Sequence, residues 1–174
     1  NKFLHLVVPL ATHECEEIGS VYLADQEITT SMLDGSGVVT SGRFVNKVRI
    51  KKHLGTSSQA ADSDLVSEVT EWTTDHRLRG VCYLYIRMEY DRDVFATGIP
   101  NIKAIVKGRK LYDPRDGQTR WSRNPALMLR DYLLSSDGIG ATTAEVDDTK
   151  ITAAANVADE FVTVQSLTDT VTAD

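Results

Sequence analysis

The chain has 174 residues, of which 41% are hydrophobic and 25% are charged, so it can bury its own core without disulfide or metal support. This composition excludes a collagen, a coiled coil, a wholly disordered chain and a disulfide-rich mini-protein, and no apolar run reaches the roughly eighteen residues of a membrane span. The formal net charge of -6 argues against a protein whose main task is holding DNA or RNA, because phosphate binding favours a basic surface.

Strands are predicted for most of the first half of the chain. An apolar strand over 3–10 comes first, and a hairpin over 17–28 follows, with its turn near 24–26. The segment 29–42 is rich in Gly, Ser and Thr and is predicted to be a loop. The alternating run 44–54 predicts a strand with an apolar face of Phe44, Val48, Ile50 and Leu54, opposite a face of Val45, Lys47, Arg49, Lys51 and His53.

One helix and the clearest strand come next. Ser57 or Ser58 can cap a helix whose inner face would carry Ala61, Leu65, Val69 and Trp72. The polar segment 73–79 leads into a strand over 81–90. Its first apolar face consists of Cys82, Leu84, Ile86, Met88 and Tyr90, and the other changes from aromatic to charged along its length.

A turn at 91–98 precedes two further strands, 102–107 and 110–112. Gly108 and Arg109 between them predict a two-residue type II′ hairpin. The helix that starts at Asn124 and Pro125 runs through Leu134 and is apolar almost throughout, so we expect it to be buried on most sides. The last helix starts near 147–148, and its predicted inner face consists of Ile151, Ala154, Ala155, Ala158 and Phe161.

These elements predict an α+β fold with mostly antiparallel sheet and about three helices, because regular βαβ alternation is missing from the sequence. We expect one α+β segment over 1–162, with a sub-boundary near 113–123, and a connection to a following domain over 163–174. The chain lacks an initiator Met and a signal peptide, which favours a piece cut from a longer polypeptide.

The sequence lacks a P-loop, GxGxxG, GxSxG, HExxH and paired CxxC motifs. His13 and Cys15 would share one face of an extended segment, but two ligands without a second pair do not make a metal site. Cys82 is interpreted as a small core residue, and we expect a reducing compartment in which a disulfide to Cys15 is unnecessary. We therefore predict no catalytic residue, cofactor or metal.

Carboxylates near strand ends keep an enzymatic alternative open. A hydrolase could use several of them as an acid/base pair, and it would then gather them in a pocket with raised pKa values. Aspartates beside arginines more often cap turns and form ion pairs, which is the interpretation that we prefer. The residues concerned are Asp91, Asp93, Asp113 and Asp116.

Basic and aromatic side chains supply the interface candidates. The stripe of Lys47, Arg49, Lys51 and His53 could meet phosphate, but a solvated strand face, or one that meets an acidic subunit, is the favoured interpretation. Trp121 lies in a polar connection and is a better interface anchor than Trp72, for which a core position is at least as well supported.

Much of the chain resembles the tail tip (host-specificity, J-type) proteins of long-tailed bacteriophages and prophages. The most specific words are GIPN at 98–101, VKGRKLYDPR at 106–115 and WSRNPALMLRDYL at 121–133. Further words, in the same order as in the family, are FLHLV at 3–7, VRIKKHLGT at 48–56, HRLRG at 76–80 and ITAAANVADE at 151–160. The sequence departs from the family at Arg123, where a small or acidic residue is expected.

The resemblance implies a structural part of the hub at the distal end of the tail. Such hubs are trimers of multi-domain chains that contact other tail proteins, and their location is the virion tail tip after synthesis in the bacterial cytoplasm. It implies no catalytic residue, while the apolar runs and the net charge predict no membrane span and no specific nucleic-acid recognition. The candidate interface residues are Trp121, Arg123, Arg115, Lys47, Arg49 and Lys51. The alternatives are a cell-wall-directed hydrolase module that uses the aspartates, and a stand-alone protein-binding module.

Overall fold

The computed structural model describes residues 2–160. The chain forms two compact units, unit 1 over Asn1–Lys110 and unit 2 over Leu111–Asp174, and the division lies just before the predicted sub-boundary at 113–123. Phe161 and the predicted connection 163–174 lie outside the described residues. Unit 1 contains β1 (Phe3–Ala11), β2 (Glu17–Leu23), β3 (Gln26–Ile28), β4 (Val48–His53), α1 (Ser63–Glu68), β5 (Cys82–Glu89) and β6 (Ile102–Lys107). Unit 2 contains β7 (Leu111–Asp113), β8 (Gln118–Arg120), α2 (Pro125–Leu134) and α3 (Asp148–Ala158).

Unit 1 is built on two antiparallel sheets of three strands each. The first sheet has the order β1-β5-β4 and the second has the order β3-β2-β6. Apolar residues from both sheets form one common core. The predicted α+β class with mostly antiparallel sheet and three helices is therefore confirmed for the part of the chain that is described.

The central strand β5 is buried on both of its faces. Leu84, Ile86 and Met88 join the common core, while Tyr83 and Tyr85 pack on the opposite face with Leu65 of α1. Since both faces are covered, the strand reads as an almost continuous apolar run until it reaches Arg87.

The predicted strand 44–54 is too long at its start. Residues 43–47 form a turn in which Asn46 has a φ of 58°, and β4 begins only at Val48. Phe44 is nevertheless in the core. The preceding loop also contributes to the core, because Val39 is fully buried and its N–H donates to the carbonyl of Val48.

The first helix is shorter than predicted, and its cap is a different residue. α1 starts at Ser63, and the carboxylate of Asp62 accepts from the N–H groups of Asp64 and Leu65, so neither Ser57 nor Ser58 is the N-cap. A buried acid that also pairs with a histidine is a stronger cap than an exposed serine. Val69 and Trp72 follow the helix end but still pack on the face of β5 that carries Tyr83 and Tyr85.

The hairpin predicted over 102–112 does not form. β6 pairs with β2, and β7 pairs with β8, a strand that the sequence analysis missed. The segment around Gly108 therefore links two units and makes no hairpin turn. The tight turn lies at 114–117, where Gly117 has a φ of 71°.

The two later helices begin where the sequence predicts. Asn124 caps α2 with Pro125 at its first position, and Asp147 caps α3. The expected burial of α2 on most sides is wrong, since only Leu127 and Arg130 of that helix are buried. On α3, Ala155 is buried, whereas Ala154 and Ala158 are exposed rather than on the inner face.

The described residues hold no helix that is both long enough and apolar enough to span a bilayer.

Candidate functional site

Three residues of the basic stripe, Arg49, Lys51 and His53, face acidic side chains in and next to helix α1 of the same unit. Arg49 lies 2.8 Å from Glu68 and 3.3 Å from Asp64, and Lys51 lies 2.7 Å from Asp64. His53 Nε2 lies 2.7 Å from Asp62. The stripe is thus paired within its own unit, and the expectation of a solvated face or of an acidic subunit opposite it is wrong.

Glu68 is at the centre of this charge network. It accepts hydrogen bonds from Arg49 Nη2 at 2.8 Å, from Arg87 Nη1 at 3.0 Å and from the hydroxyl of Tyr85 at 3.3 Å. Burial opposes the ionisation of Glu68, but the hydrogen bonds and charges of the two arginines outweigh burial and lower its pKa. The carboxylate therefore stays charged at neutral pH and joins α1 to both strands.

Asp62 makes a second link between α1 and β4. Its carboxylate is almost fully buried, caps the helix with one oxygen and binds His53 with the other. Burial alone would raise the pKa of Asp62, but the hydrogen bonds from His53 and from the Leu65 N–H lower it. The ring of His53 also stacks on Tyr83 with their centroids 4.4 Å apart.

These ion pairs leave three of the interface candidates less available to a partner protein. Arg49 is only 8% exposed, so its guanidinium is unavailable to a partner. Lys51 keeps its partner Asp64, and Lys47 lies 3.3 Å from Glu89 and 3.1 Å from Asp91. The hydrogen bonds that its ammonium donates to Asp91 and Glu89 raise the pKa of Lys47.

The strand-end aspartates are bound to basic side chains and to turn N–H groups. The ammonium of Lys47 lowers the pKa of Asp91, which also accepts from the N–H groups of Asp93 and Val94. In unit 2 the guanidinium of Arg115 lowers the pKa of the buried Asp113. These two carboxyl groups have the opposite of the raised pKa that a general acid needs.

The remaining aspartates of the enzymatic alternative serve local structure. Asp116 lies 2.7 Å from Arg120 and accepts from the N–H of Gln118, which fixes the turn between β7 and β8. Asp93 is exposed in the turn that Asp91 caps. Both residues therefore fit the preferred interpretation of turn capping and ion pairing.

Three of the interface candidates lie in unit 2. Arg115 binds Asp113 at 2.8 Å and Asp159 at 2.8 Å, so it joins the β7–β8 turn to the end of α3. The exposed Arg123 lies over the ring of Trp121, with 5.3 Å between its guanidinium carbon and the ring centroid. Trp121 is partly buried.

Unit 2 also presents an apolar surface that the sequence analysis missed. Four large apolar side chains in or just after α2 are about half exposed or more: Met128 at 47%, Leu129 at 53%, Tyr132 at 55% and Ile139 at 64%. An apolar run without helical periodicity predicts burial, but the main contacts of α2 within its unit are with β7 and α3, and they leave these side chains exposed. One face of the helix is therefore left for contact with something else.

A second apolar surface lies at the edge of the first sheet in unit 1. A groove of about 430 Å³ is lined by apolar residues of β1 and β5 and of the turn that follows β5. Tyr90 is 73% exposed and Ile99 is 60% exposed at this groove. The lining includes Leu4, Met88, Tyr90, Phe95 and Ile99.

The cysteines are both buried and free. Burial and a hydrogen bond to Cys15 raise the pKa of Cys82 to about 12, so its thiol is protonated and inert at neutral pH. His13 Nδ1 lies 3.9 Å from the sulfur of Cys15. In residues 2–160 no three side chains of His, Cys, Asp or Glu are arranged to hold a metal ion.

Comparison with known proteins finds no matching protein family and no curated protein with significant similarity.

Proposed function

We propose that the chain is a structural module of a phage tail tip hub, in which it assembles with copies of itself as a trimer and with neighbouring tail proteins. Its role would be to build the distal tail, and so to serve host attachment and DNA delivery. The proposal also places the protein at the tail tip of the virion.

The observation that carries the proposal is the coincidence of a specific sequence run with an exposed apolar helix. The segment 121–133, which resembles the tail tip family, includes most of α2, and three of its large side chains are about half exposed: Met128, Leu129 and Tyr132. A helix with exposed apolar side chains is typical of a module whose apolar face is buried against other proteins in an assembly.

The charge arrangement supports the same proposal. A building element has to keep its shape when neighbours press on it, and Glu68 ties α1 to two strands by charge-assisted hydrogen bonds to Arg49 and Arg87. Asp91 and Asp113 are tied up in ion pairs and have lowered pKa values, which favours structural over acid/base roles. The cell-wall hydrolase therefore gains no support from these two groups.

The test is a substitution on α2 in phage particles whose genome encodes the chain. Leu129→Glu places a charge on the exposed apolar face, and Ala153→Glu adds the same charge at an exposed position of α3 as the control. We expect particles with Leu129→Glu to lose complete tails and infectivity, while Ala153→Glu particles keep both.

Two measurements separate assembly from folding. Thermal unfolding of the purified chain should give similar midpoints for both variants, because both side chains are exposed. Electron microscopy of the particles should then place the chain at the distal end of the tail. Normal tails with Leu129→Glu, or density for the chain elsewhere in the virion, would contradict the proposal.

A further inference from the structure

The loop between α1 and β5 presents two arginines, Arg77 and Arg79, at one pocket of unit 1. The pocket has a volume of about 350 Å³, which lies at the lower end of the range for small-molecule sites. Among the described residues, none that lines this pocket is acidic. The residues that line it beside the arginines are small or apolar: Ser58, Ala60, Ala61, Ser63, Val66 and Thr74.

A buried side chain holds the backbone of this loop in place. Gln59 is 8% exposed, and its Nε2 donates to the carbonyls of Arg77 at 3.0 Å and of Leu78 at 2.7 Å. The backbone carbonyl of Gln59 in turn accepts from Nε of Arg79 at 3.3 Å. The positions of both arginines are therefore fixed by one residue of the protein interior.

Leu78 between the two arginines has a strained backbone. Its φ is 47°, in the left-handed region that residues with a side chain rarely adopt. In this conformation Leu78 packs with Leu65 and Tyr83 in the core, while the arginines on either side of it remain exposed. Strain of this kind is concentrated at ligand sites, where the surrounding structure holds a residue in an unfavourable conformation.

The two guanidinium groups are only weakly neutralised. The terminal nitrogens of Arg79 make no hydrogen bond or ion pair with any described residue, since its one contact uses Nε. Arg77 Nη2 lies 3.6 Å from Asp75, but both side chains are well exposed, so this pair is weak. Two cations and one nearby anion give the mouth of the pocket a net charge of about +1.

We propose that this pocket binds a single carboxylate on a short apolar stem. Guanidinium groups match the geometry of a carboxylate, and the hydroxyl groups in the lining can donate further hydrogen bonds. Ala60, Ala61 and Val66 give the stem an apolar surface to pack on. Inorganic phosphate carries more charge than the site can neutralise, and it has no apolar part to fill the remaining space.

This inference does not depend on the proposed function. The pocket belongs to unit 1 and concerns an anionic ligand, whereas the main support for the tail hub proposal is the exposed apolar face of α2 in unit 2. Either can fail while the other holds.

The test is titration calorimetry of the full chain with two small probes. Butyrate has one carboxylate on a short apolar stem, and butyramide has the same shape without the charge. Butyrate should bind with a dissociation constant in the millimolar range, and butyramide should bind about tenfold more weakly or not at all. Binding of butyrate should weaken as the salt concentration rises, because the arginines are exposed.

Substitution of Arg79 shows whether the guanidinium makes the contact. Arg79→Gln should weaken butyrate binding about tenfold, and Arg79→Lys should recover part of the loss because it keeps the charge but not the planar fork. Arg92→Gln is the control, since Arg92 is exposed in the same unit and lies outside the pocket lining. It should leave butyrate binding unchanged.

A variant that keeps both arginines protects the test from misfolding of the loop. Ala60 lines the pocket and is exposed, so Ala60→Leu takes up space for the stem without disturbing the core. Its unfolding midpoint should equal that of the wild type, while butyrate binding should weaken. Ala96→Leu, at an exposed position outside the pocket lining, should change neither.

Two further measurements locate the ligand and identify its source. Butyrate should shift the amide NMR signals of Ala60, Ala61 and Val66 and leave those of Leu4 and Ile99 at the groove beside β1 unchanged. N-acetyl-alanyl-alanine carries the same carboxylate at the end of a peptide. Tighter binding of this dipeptide would support the terminal carboxylate of a protein chain as the ligand, and tighter binding of butyrate would support a free organic acid.

Equal binding of butyrate and butyramide would overturn the proposal, as would tighter binding of inorganic phosphate than of butyrate. Equal affinities of Arg79→Gln and Arg92→Gln for butyrate would overturn it too, and so would amide shifts confined to residues outside the pocket.

Discussion

Replacing Glu68 by glutamine removes the negative charge between two arginines on adjacent strands. Arg49 and Arg87 are direct partners across β4 and β5, a position in which like charges destabilise a sheet. Glu68 accepts from Arg49 at 2.8 Å and from Arg87 at 3.0 Å, so its charge is what makes that juxtaposition favourable. The substitution keeps the shape of the side chain and changes the charge.

The size of the effect follows from the contacts. A hydrogen bond to a charged group contributes about 1.5–3 kcal/mol, and two unit charges about 4 Å apart interact by about 4 kcal/mol at an effective dielectric constant near 20. Glutamine keeps one oxygen that can accept from one arginine, and the Glu68 side chain is 27% exposed, so water reduces the loss. We expect the free energy of unfolding to fall by about 2 kcal/mol.

Urea unfolding at neutral pH measures this change. Trp72 packs on the tyrosine face near α1, so its fluorescence reports on unit 1 when Trp121 is replaced by phenylalanine in every variant. Glu71→Gln is the control, because Glu71 lies just beyond the helix and is exposed. It should change the free energy of unfolding by less than about 0.5 kcal/mol.

The double variant Glu68→Gln/Arg87→Gln should recover part of the lost stability, since it removes one of the two facing charges. The reasoning is refuted if Glu68→Gln is no more destabilising than Glu71→Gln, or if the double variant loses the sum of both single losses.

Three further predictions test other contacts. Asn124→Ala should cost about 2 kcal/mol in unit 2, because it removes the α2 cap and the 2.8 Å bond to the carbonyl of Ala155, whereas Asn124→Ser keeps an oxygen that can cap α2 and should lose about half of that in urea unfolding. Asp62→Asn keeps the cap but loses the charged partner of His53. Because folding lowers the pKa of Asp62, the wild type should exceed this variant in stability above about pH 4 and lose that advantage as the pH falls through the folded pKa, as measured by thermal unfolding. Gly55→Ala should lower the unfolding midpoint markedly, because Gly55 has a φ of +81° and an added Cβ would lie 2.8 Å from the N of Cys82.

Local sequence patterns were sufficient where local physics decides the structure. The strand around β5 was predicted from a run of apolar and aromatic residues, and the start of α2 from Asn124 followed by Pro125. The start of α2 depends on contacts within a few residues, and the pattern of β5 depends on burial of the whole strand. Each could therefore be predicted without knowledge of the tertiary structure.

Local patterns do not predict which strands pair when the partners are far apart in the sequence. Gly108 looks like part of a hairpin turn, yet β6 pairs with β2, some eighty residues earlier in the chain, and no local preference encodes that choice. The shift of the helix cap from serine to Asp62 has a more local cause, since the same carboxylate also binds His53, nine residues earlier at the end of β4.

One long-range feature did leave a trace in the sequence. Lys47, Arg49 and Lys51 recur every second residue, and Asp64 and Glu68 recur at helical spacing. Two opposite charge patterns, each with the period of its own element, indicate that a helix lies across a strand. The two patterns considered together predict these ion pairs, whereas the basic stripe considered alone predicts a solvated face or an acidic subunit opposite it.

Because the basic stripe is paired within unit 1, other surfaces must supply any contacts with partner proteins. The arginine and lysines that looked available for an acidic or phosphate partner are held by α1 and by the acids near the end of β5, so their charges stabilise the fold. Among the described residues, the apolar surfaces that remain exposed include the groove beside β1 in unit 1 and the outer face of α2 in unit 2, and both are lined mainly by apolar side chains. Association through either surface should therefore persist at high salt in the wild-type chain, since apolar burial and backbone hydrogen bonds are only weakly screened. Loss of association on adding salt would instead indicate that charged side chains outside the α1 network make the contact.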